Sequence, residues 1–408
     1  MIKRRLILCR MLLFTLLIML VSACKMDKVN NLDSLEIIPL NPNKTTFAKL
    51  SEIVSLNYQI IPLSSEDDVL IGEVNNLIIK DSLIFILDAD RTKSVFVFDM
   101  DGSFFANISD YGMGHGKYHE LGNFYINSKQ KTINIYQTWP AKVMEYNYYG
   151  DFINEKEIYE YARTMTMNAK GNYCIYTANV PISEKSKYNF LMLNNDFQVI
   201  CNCFPTDVKN KKLSLFLRNN FTHFGDSVSF VKPFCDTIFD ISEDQIKAKY
   251  LIDFGEYAAT EKFYNKYLDF DVRKIIKMHE KNNQAYGIQP FYESNKYLYF
   301  KFFYKESWEY LAVFSKNTKT MQLAKDVLND VNQMPLNLSD SFLDSNNNAI
   351  ISIVYPFQLK KSIQRLKSEL DESEFQVYSD KNQELIRLSN LLDNSDNPVI
   401  IKYFIKDF

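Results

Sequence analysis

Short apolar runs that end in polar turns recur along most of this chain of 408 residues. The clearest five are VFVFDMDGSF, VMEYNYYGDF, NFLMLNNDF, DTIFDISEDQI and LAVFSKNTKT. Their equivalent positions, which are separated by 48, 47, 46 and 75 residues, are Phe98, Tyr146, Leu193, Phe239 and Phe314. The longest interval shortens to 50 when residues 256–280 are removed, a segment of helical period without glycine or proline. A repeat of this length is typical of a β-propeller, in which each blade is a radial sheet of four antiparallel strands.

An earlier apolar strand precedes each of these segments and sets the number of blades. These strands are LIFILD, TINIYQ, NYCIYT, SVSFV and YLYFKFF, and a sixth is AIISIVY at Ala349–Tyr355. Several of them are apolar almost throughout, as expected when neighbouring blades cover both faces of a sheet. A second helical segment, at about 357–392, separates the sixth strand from the terminal strand PVIIKYFIKD. Because only three strands of the sixth blade are found there, we expect Leu56–Leu63 to supply the fourth and close the ring.

The fold class predicted is therefore all-β. We expect a six-bladed β-propeller of four-stranded antiparallel blades over residues 51–408, with helical insertions at about 256–280 and 357–392. Residues 24–50 precede the first predicted strand and are interpreted as a tether.

Residues 1–23 have the layout of a secretory signal peptide. A basic start is followed by an apolar stretch from Met11 to Val21 and by small residues before Cys24. A short membrane anchor is the alternative, but an apolar run of this length favours cleavage. The sequence VSAC also resembles the lipobox of bacterial lipoproteins, in which the cysteine carries lipid. This resemblance implies an exported outer-membrane lipoprotein anchored through Cys24, on either the periplasmic or the cell-surface side.

Charge and cysteine content limit the functional classes. Residues 1–23 contain four of the 47 Lys and Arg residues and no acid, so the remaining chain has 43 basic against 50 acidic residues. This acidic balance argues against nucleic acid as a partner. Four cysteines remain if Cys24 is lipidated, and we interpret them as buried thiols without a zinc-binding spacing, although their disulfide status stays open; they are Cys174, Cys201, Cys203 and Cys235.

The segment SLIFILDADRTKSVFVFDMDGSFFANI resembles an NHL-type repeat, with a strand ending in Asp, a polar turn and an aromatic strand that leads into a D-G turn. The whole layout resembles the NHL-like six-bladed propeller lipoproteins of anaerobic Gram-negative bacteria. In those proteins the element after the first blade commonly has the form G-x-G-P-G-E-Y, whereas here His115 precedes Gly116 and Lys117 replaces the acid before Tyr118. The resemblance implies fold and location rather than an activity.

The stretch YGMGHGKYHELGNF at Tyr111–Phe124 concentrates glycine and histidine. An H-x-x-x-H pair ligates metal when a helix places both side chains on one face, but three glycines oppose a helix here. The stretch also lacks the spacing of phosphate-binding glycine loops. We therefore expect a hinge between the first two blades, and we predict no metal and no cofactor.

The hinge and the two tryptophans define a candidate ligand face. Both tryptophans, Trp139 and Trp308, are predicted in loops between second and third strands, on opposite blades and on the rim that carries the hinge. An aromatic pair beside polar side chains can stack on sugars or hold a peptide. The alternative is that the tryptophans fill seams between blades. The candidate ligand-face residues are Tyr111, His115, Lys117, His119, Trp139 and Trp308.

The leading interpretation is a non-enzymatic binding or scaffold module for a glycan, a peptide or an envelope protein. A propeller hydrolase or lyase with a metal in the central channel is the alternative, and enzymatic activity is left uncertain. That alternative requires several Asp, Asn, Glu or His side chains facing inward. The predicted inner strands offer few candidates, namely Glu73, Asn75, Asn76, Asn123 and Asn168. A purely structural envelope component is the third class, and it predicts a broad apolar patch.

Overall fold

Six four-stranded sheets stand around a central channel, and one of them carries an additional fifth strand. The structure, a computed structural model, describes residues 35–65, 69–138, 141–158, 162–180, 187–206, 219–267, 270–305, 308–337 and 341–408, with only the backbone at Trp308. The first two strands in chain order are β1 (Glu36–Pro39) and β2 (Val54–Pro62). Both of them join sheets formed by residues much later in the chain.

Blades 1 to 3 follow one another along the chain. Their strands, given for each blade from the channel outward, are β3 (Asn76–Lys80), β4 (Leu83–Asp88), β5 (Ser94–Asp99) and β6 (Phe104–Ile108); β7 (Asn123–Asn127), β8 (Thr132–Thr138), β9 (Ala141–Asn147) and β10 (Phe152–Glu157); and β11 (Thr164–Met167), β12 (Tyr173–Tyr176), β13 (Tyr188–Leu193) and β14 (Val199–Pro205). All neighbouring strands in these three blades are antiparallel.

Blades 4 to 6 complete the ring with the same strand order. Their strands, again from the channel outward, are β15 (Phe221–Phe224), β16 (Ser227–Val231), β17 (Thr237–Ser242) and β18 (Gln245–Asp253); β19 (Phe291–Glu293), β20 (Tyr297–Tyr304), β21 (Trp308–Ser315) and β22 (Met321–Ala324); and β23 (Phe342–Asp344), β24 (Ala349–Val354), β25 (Val399–Ile405) and then β2. The prediction of a six-bladed propeller is confirmed.

The ring closes through β2, the second strand of the chain, as the sequence predicts. Strand β2 pairs antiparallel with β25, with Ile60 opposite Ile401 and Pro62 opposite Val399. The D-G turn of blade 1 packs directly on this closure, since Ser64 N donates to Gly102 O at 2.9 Å. Gly102 has a φ of 92°, and a Cβ at this position would lie 2.1 Å from Pro62 O, so only glycine fits.

The hydrophobic core is divided among the seams between blades. Six clusters of buried apolar side chains fill the six seams, and each cluster combines residues of two adjacent blades. Strands β4 and β24 are buried along their whole length. This explains why the second strands are apolar almost throughout rather than alternating, because both of their faces meet a neighbouring sheet.

The antiparallel order gives the ring two distinct rims. One rim carries the passages from the outer strand of a blade to the inner strand of the next, together with the loops between second and third strands; we call it the crossover rim. The opposite rim carries the turns between first and second strands, and we call it the turn rim. Asn76 and Asn123 start inner strands at the crossover rim, whereas Lys80 ends β3 at the turn rim.

Both predicted helical insertions are confirmed, and their positions put them on the crossover rim. Helices α1 (Glu261–Lys266) and α2 (Val272–Lys281) lie between blades 4 and 5, and α3 (Pro356–Glu369), α4 (Glu372–Lys381) and α5 (Gln383–Leu391) lie within blade 6. Leu359 and Leu388 of these helices are fully buried against blades 5 and 6. Each such leucine contributes roughly 1.5–3 kcal/mol through burial. No helix in the described ranges is long and apolar enough to span a bilayer.

The described part of the predicted tether, residues 35–50, lies on the ring. Strand β1 pairs in parallel with β18 and adds a fifth strand to blade 4, with Ile38 opposite Ile252. Thr46 N then donates to Leu323 O at 2.7 Å, and the short 3-10 helix Leu50–Glu52 places Leu50 in the core. The chain therefore contacts blades 4 and 5 before it enters blade 6.

Candidate functional site

The passage from β6 to β7, residues 109–122, contains four of the predicted ligand-face residues: Tyr111, His115, Lys117 and His119. We call it the crossover loop. Three of its four glycines, Gly112, Gly114 and Gly116, have φ values of 154°, 117° and 71°, which residues with a Cβ rarely adopt. The loop is not helical, so the H-x-x-x-H spacing does not place both imidazoles on one helix face.

A buried tyrosine fixes the crossover loop to blade 1. The Tyr118 hydroxyl donates to the carbonyl oxygens of Lys93 at 2.7 Å and Ile108 at 3.1 Å, and its side chain is fully buried. Burial raises the pKa of this hydroxyl far above its ordinary value, so it remains a donor. Backbone bonds close the loop on itself, with Gly112 N donating to Tyr118 O at 2.8 Å and Tyr118 N to Asp110 O at 3.1 Å.

A carboxylate of blade 2 fixes the other side of the loop. Glu155 on β10 contacts His115 Nδ1 at 2.9 Å and accepts from Gly116 N at 3.1 Å and from Lys142 Nζ at 3.0 Å. Burial acts to raise the pKa of Glu155, but the hydrogen bonds from these three groups outweigh it and lower the pKa. Lys142 Nζ also donates to Lys117 O at 2.6 Å. Sequence reasoning missed Glu155, since it lies on an outer strand about 40 positions from the loop.

The fixed loop presents apolar and aromatic groups to solvent. Tyr111 is 49% exposed and Met113 is 81% exposed, and the His115 side chain is also mostly exposed. The Lys93 ammonium lies 4.0 Å from the centre of the Tyr111 ring, and His115 meets the edge of Phe152 at 5.2 Å. We call Tyr111, Met113 and His115 the crossover surface. Large apolar groups held rigidly in solvent are typical of recognition surfaces.

The remaining ligand-face residues lie outside the crossover surface or outside the described residues. Lys117 is exposed, and His119 is half-buried, with its backbone N donating to Gln137 Oε1 at 3.0 Å. Trp139, the Trp308 side chain and Cys24 lie outside the described residues. The backbone of Trp308 begins β21 opposite Tyr304. An aromatic pair across the mouth therefore stays a prediction.

Three asparagines hydrogen-bond to one another at the crossover rim of the central channel. Asn76 Nδ2 donates to Asn123 Oδ1 at 3.0 Å, Asn123 Nδ2 to Asn219 Oδ1 at 2.5 Å, and Asn219 Nδ2 to Asn76 Oδ1 at 3.3 Å. These residues come from blades 1, 2 and 4, and their bonds form a closed cycle. We call this cycle the asparagine triad. Its side-chain amides hydrogen-bond to one another, and the cycle narrows the channel at this rim.

The channel itself is narrow and has an unusual set of lining groups. Its cavity volume is about 110 Å³, well below the roughly 300–1,000 Å³ of small-molecule pockets. The described residues that line it include amides, hydroxyls, Lys80 and His223, but none of them is Asp or Glu. Ca²⁺ sites are built mainly from carboxylate and carbonyl oxygens. The predicted alternative, a metal-dependent hydrolase or lyase, lacks that donor set here, and no group of three or more His, Cys, Asp or Glu within the described ranges is arranged to hold a metal ion.

A larger groove lies on the flank of the ring, with a volume of about 560 Å³. It is bounded by residues 39–46 of the docked N-terminal segment, by residues 253–257 after blade 4, and by Met321 and Leu323 of β22. Its lining residues include Lys44, Glu256 and Tyr257. The groove is of ligand-binding size, and sequence reasoning missed it because the N-terminal segment was interpreted as a tether.

The thiols are distributed over blades 3 and 4. None of the four described cysteines forms a disulfide; Cys174 is buried, and Cys201, Cys203 and Cys235 are half-buried. The Cys201 and Cys203 sulfur atoms lie 4.0 Å apart on β14.

Comparison with known proteins identifies a family and supports the fold. A family profile described as a domain of unknown function (DUF4934) matches residues 35–404. The crystal structure of a Bacteroides fragilis NCTC 9343 protein, described as exported, covers 91% of this chain and 100% of its own, at 16% identity and a TM-score of 0.72. This likeness concerns the fold alone. A DUF4221 family member from Bacteroides vulgatus ATCC 8482 covers 87% of this chain and 97% of its own at 9% identity, with a TM-score of 0.45. No curated protein matches the sequence.

Proposed function

We propose that this chain, which belongs to the DUF4934 family, is a non-enzymatic binding or scaffold module of the cell envelope that recognises a glycan, a peptide or a partner protein. The crossover surface carries the proposal. Its side chains are exposed while their backbone is fixed by Tyr118 on one side and Glu155 on the other. A recognition surface that is already ordered loses little conformational entropy on binding, which favours affinity.

The export part of the proposal rests on the N-terminal sequence. Residues 1–23 have the layout of a signal peptide, and Cys24 follows a lipobox-like VSA. The Bacteroides fragilis protein of similar fold is described as exported, which is consistent with this location. In this proposal, lipid on Cys24 anchors the NHL-like propeller to the outer membrane, and the docked residues 36–50 limit the distance between the ring and the bilayer.

Binding is tested with the lipid-free mature chain on arrays of glycans and peptides, followed by calorimetric titration of any ligand found. Tyr111→Ala and Met113→Ala are each expected to weaken binding by about 1–3 kcal/mol, because anchoring side chains at interfaces have effects of this size. Their melting temperatures should stay unchanged, since both side chains are exposed.

Tyr149→Ala is the matched control, because Tyr149 is a 72% exposed tyrosine on an outer turn of blade 2. Tyr257→Ala tests the flank groove as the rival site. Equal loss of binding in Tyr111→Ala and Tyr149→Ala contradicts a role for the crossover surface, and loss confined to Tyr257→Ala moves the site to the groove.

Anchoring is tested separately by membrane fractionation and mass spectrometry of the N-terminus. Cys24→Ala is expected to release the protein from membranes, because it removes the proposed attachment site of the lipid. Stable anchoring needs two or more acyl chains. A Cys24→Ala protein of mature size that remains in the membrane fraction would show that lipid on this residue is not the anchor.

A further inference from the structure

The turn-rim end of the central channel combines a cation with hydrogen-bond donors. Lys80 ends the inner strand of blade 1. His223 lies near the end of the inner strand of blade 4, which is opposite blade 1 in the ring of six blades. Ser345 and Asn346 of blade 6 line the same cavity. All four belong to inner strands or to the turns that follow them, so they lie at the rim opposite the asparagine triad.

The charge of Lys80 is not balanced by a neighbouring acid. Within the described ranges, no carboxylate oxygen forms an ion pair with Lys80, and no Asp or Glu lines the channel. Its charge acts across the cavity, since burial and, secondarily, the positive charge of Lys80 lower the pKa of His223 to about 4. Lys80 is a half-buried residue, and its positive charge, which has no paired carboxylate, attracts an anion.

Carboxylates at this rim are already paired with other lysines, and Asp81, which follows Lys80 in the chain, contacts Lys131 Nζ at 2.9 Å. Asp344, the last residue of the inner strand of blade 6, contacts Lys402 Nζ at 2.6 Å in a fully buried pair. Glu293, the last residue of the inner strand of blade 5, contacts Lys249 Nζ at 2.8 Å and Lys316 Nζ at 2.9 Å. The acids of the inner strands are therefore engaged away from Lys80.

Two polar side chains, His223 and Ser345, complete the end of the cavity. The His223 Nε2 atom contacts the Thr166 hydroxyl at 2.5 Å, which fixes the imidazole in the channel wall. Among the described residues, the Ser345 hydroxyl has no hydrogen-bond partner, and it lies half-buried at the cavity. His223 and Ser345 line the same cavity as Lys80, and an imidazole or a hydroxyl can donate a hydrogen bond as well as accept one.

We propose that the turn-rim end of the channel binds a small oxyanion, either a short carboxylate or an inorganic oxyanion, with Lys80 as its counter-charge. The cavity volume of about 110 Å³ excludes larger organic ligands. The asparagine triad narrows the opposite end, so the anion enters and leaves at the turn rim. This site is separate from the crossover surface and does not depend on the proposed function.

The test measures the thermal stability of the mature protein in sodium acetate and, separately, in sodium phosphate, with sodium chloride keeping the ionic strength constant. A saturable rise in melting temperature is expected with at least one of the two anions, because a ligand that binds only the folded state stabilises it. Lys80→Met should weaken the apparent affinity at least tenfold. Lys129→Met is the matched control, since Lys129 is an exposed lysine on the same rim, and it should keep the full response.

The two anions distinguish the sources of the oxyanion. A response to acetate assigns a carboxylate, and a response to phosphate alone assigns an inorganic oxyanion. If Lys80→Met does not fold, Lys80→Gln replaces it, and retention of binding in Lys80→Arg provides a second criterion. The proposal is overturned if wild type responds to neither anion beyond the chloride control, or if the neutral variants respond as wild type does.

Discussion

His279 on α2 is a buried, uncharged histidine, and the protein should lose stability through it in mild acid. Its side chain is fully buried, and within the described residues neither imidazole nitrogen has a hydrogen-bond partner. Aromatic rings surround it: Phe263 and Tyr286 each lie 4.6 Å from its ring centre, and Phe234 stacks on it at 5.6 Å. Such an environment cannot stabilise an imidazolium through charge or a conventional hydrogen bond.

The size of the effect follows from the pKa. Burial lowers the pKa of His279 from 6.5 to about 3. The unfolded chain therefore binds a proton as the pH falls below 6.5 while the folded protein does not, so stability is complete above this pH and is lost progressively down to about pH 3. At pH 5 the loss amounts to about 2 kcal/mol, since each pH unit between the two pKa values contributes about 1.4 kcal/mol.

The assay compares wild type with His279→Phe by urea unfolding at pH 7.5 and pH 5.0. Phenylalanine fits an aromatic environment and removes two buried nitrogens without partners, each of which costs about 1–3 kcal/mol, partly offset by its larger ring. The quantity compared is the difference in free energy of unfolding between the two proteins, determined at each pH. The variant should gain about 2 kcal/mol relative to wild type when the pH falls from 7.5 to 5.0.

His115→Gln is the control, because the side chain of His115 is 78% exposed and forms a surface pair with Glu155. The difference in free energy of unfolding between His115→Gln and wild type should change by less than about 1 kcal/mol over the same pH range. The interpretation of His279 is wrong if the His279→Phe difference is the same at both pH values, or if the His115→Gln difference changes as much.

Two further predictions concern buried groups away from the channel. Asp344→Asn leaves Lys402 charged and unpaired in the core of blade 6, so it should lower the free energy of unfolding by about 3–5 kcal/mol, measured by urea titration at pH 7.5; a loss below 1 kcal/mol would contradict the buried pair. On β14, the thiol of Cys203 hydrogen-bonds to Cys201 and lowers the pKa of Cys201, whereas burial raises the pKa of Cys174. Iodoacetamide should therefore modify Cys201 first, and Cys203→Ala should slow that reaction at pH 7; an unchanged rate would exclude the thiol–thiol contact.

The ring was predictable because its sequence signal is repeated. Spacing of equivalent third-strand residues indicated the repeat length, the six second strands set the blade count, and the missing strand of blade 6 indicated the partner of β25. Strand β1 was not predicted, because four residues, EIIP, are too short to carry a period of their own. A weak signal was present: IIPL at 37–40 recurs as IIPL at 60–63, at the end of the closing strand β2.

The site was less predictable, because its contacts join positions without a common sequence pattern. Asn76 and Asn123 were identified as polar residues of inner strands, but Asn219 precedes the short polar strand β15 and gave no such indication. Glu155 was missed for a similar reason, since a lone acid on an outer strand is usually solvated. Only the three-dimensional path of the crossover loop brings Gly116 N to its carboxylate.

The two binding proposals can be separated because they lie on opposite rims. The asparagine triad satisfies its own amides at the crossover rim, so a macromolecular partner there meets the surface of the loop and the helical insertions rather than a deep mouth. Lys80 faces the other end of the cavity, which is too small for such a partner. Substitution of Lys80 should therefore leave binding through Tyr111 unchanged, and substitution of Tyr111 should leave the anion response unchanged, because the Tyr111 ring contacts Lys93 in the loop between second and third strands at the crossover rim. A coupled loss in either variant would require a structural link across blade 1, which carries both residues or their immediate supports.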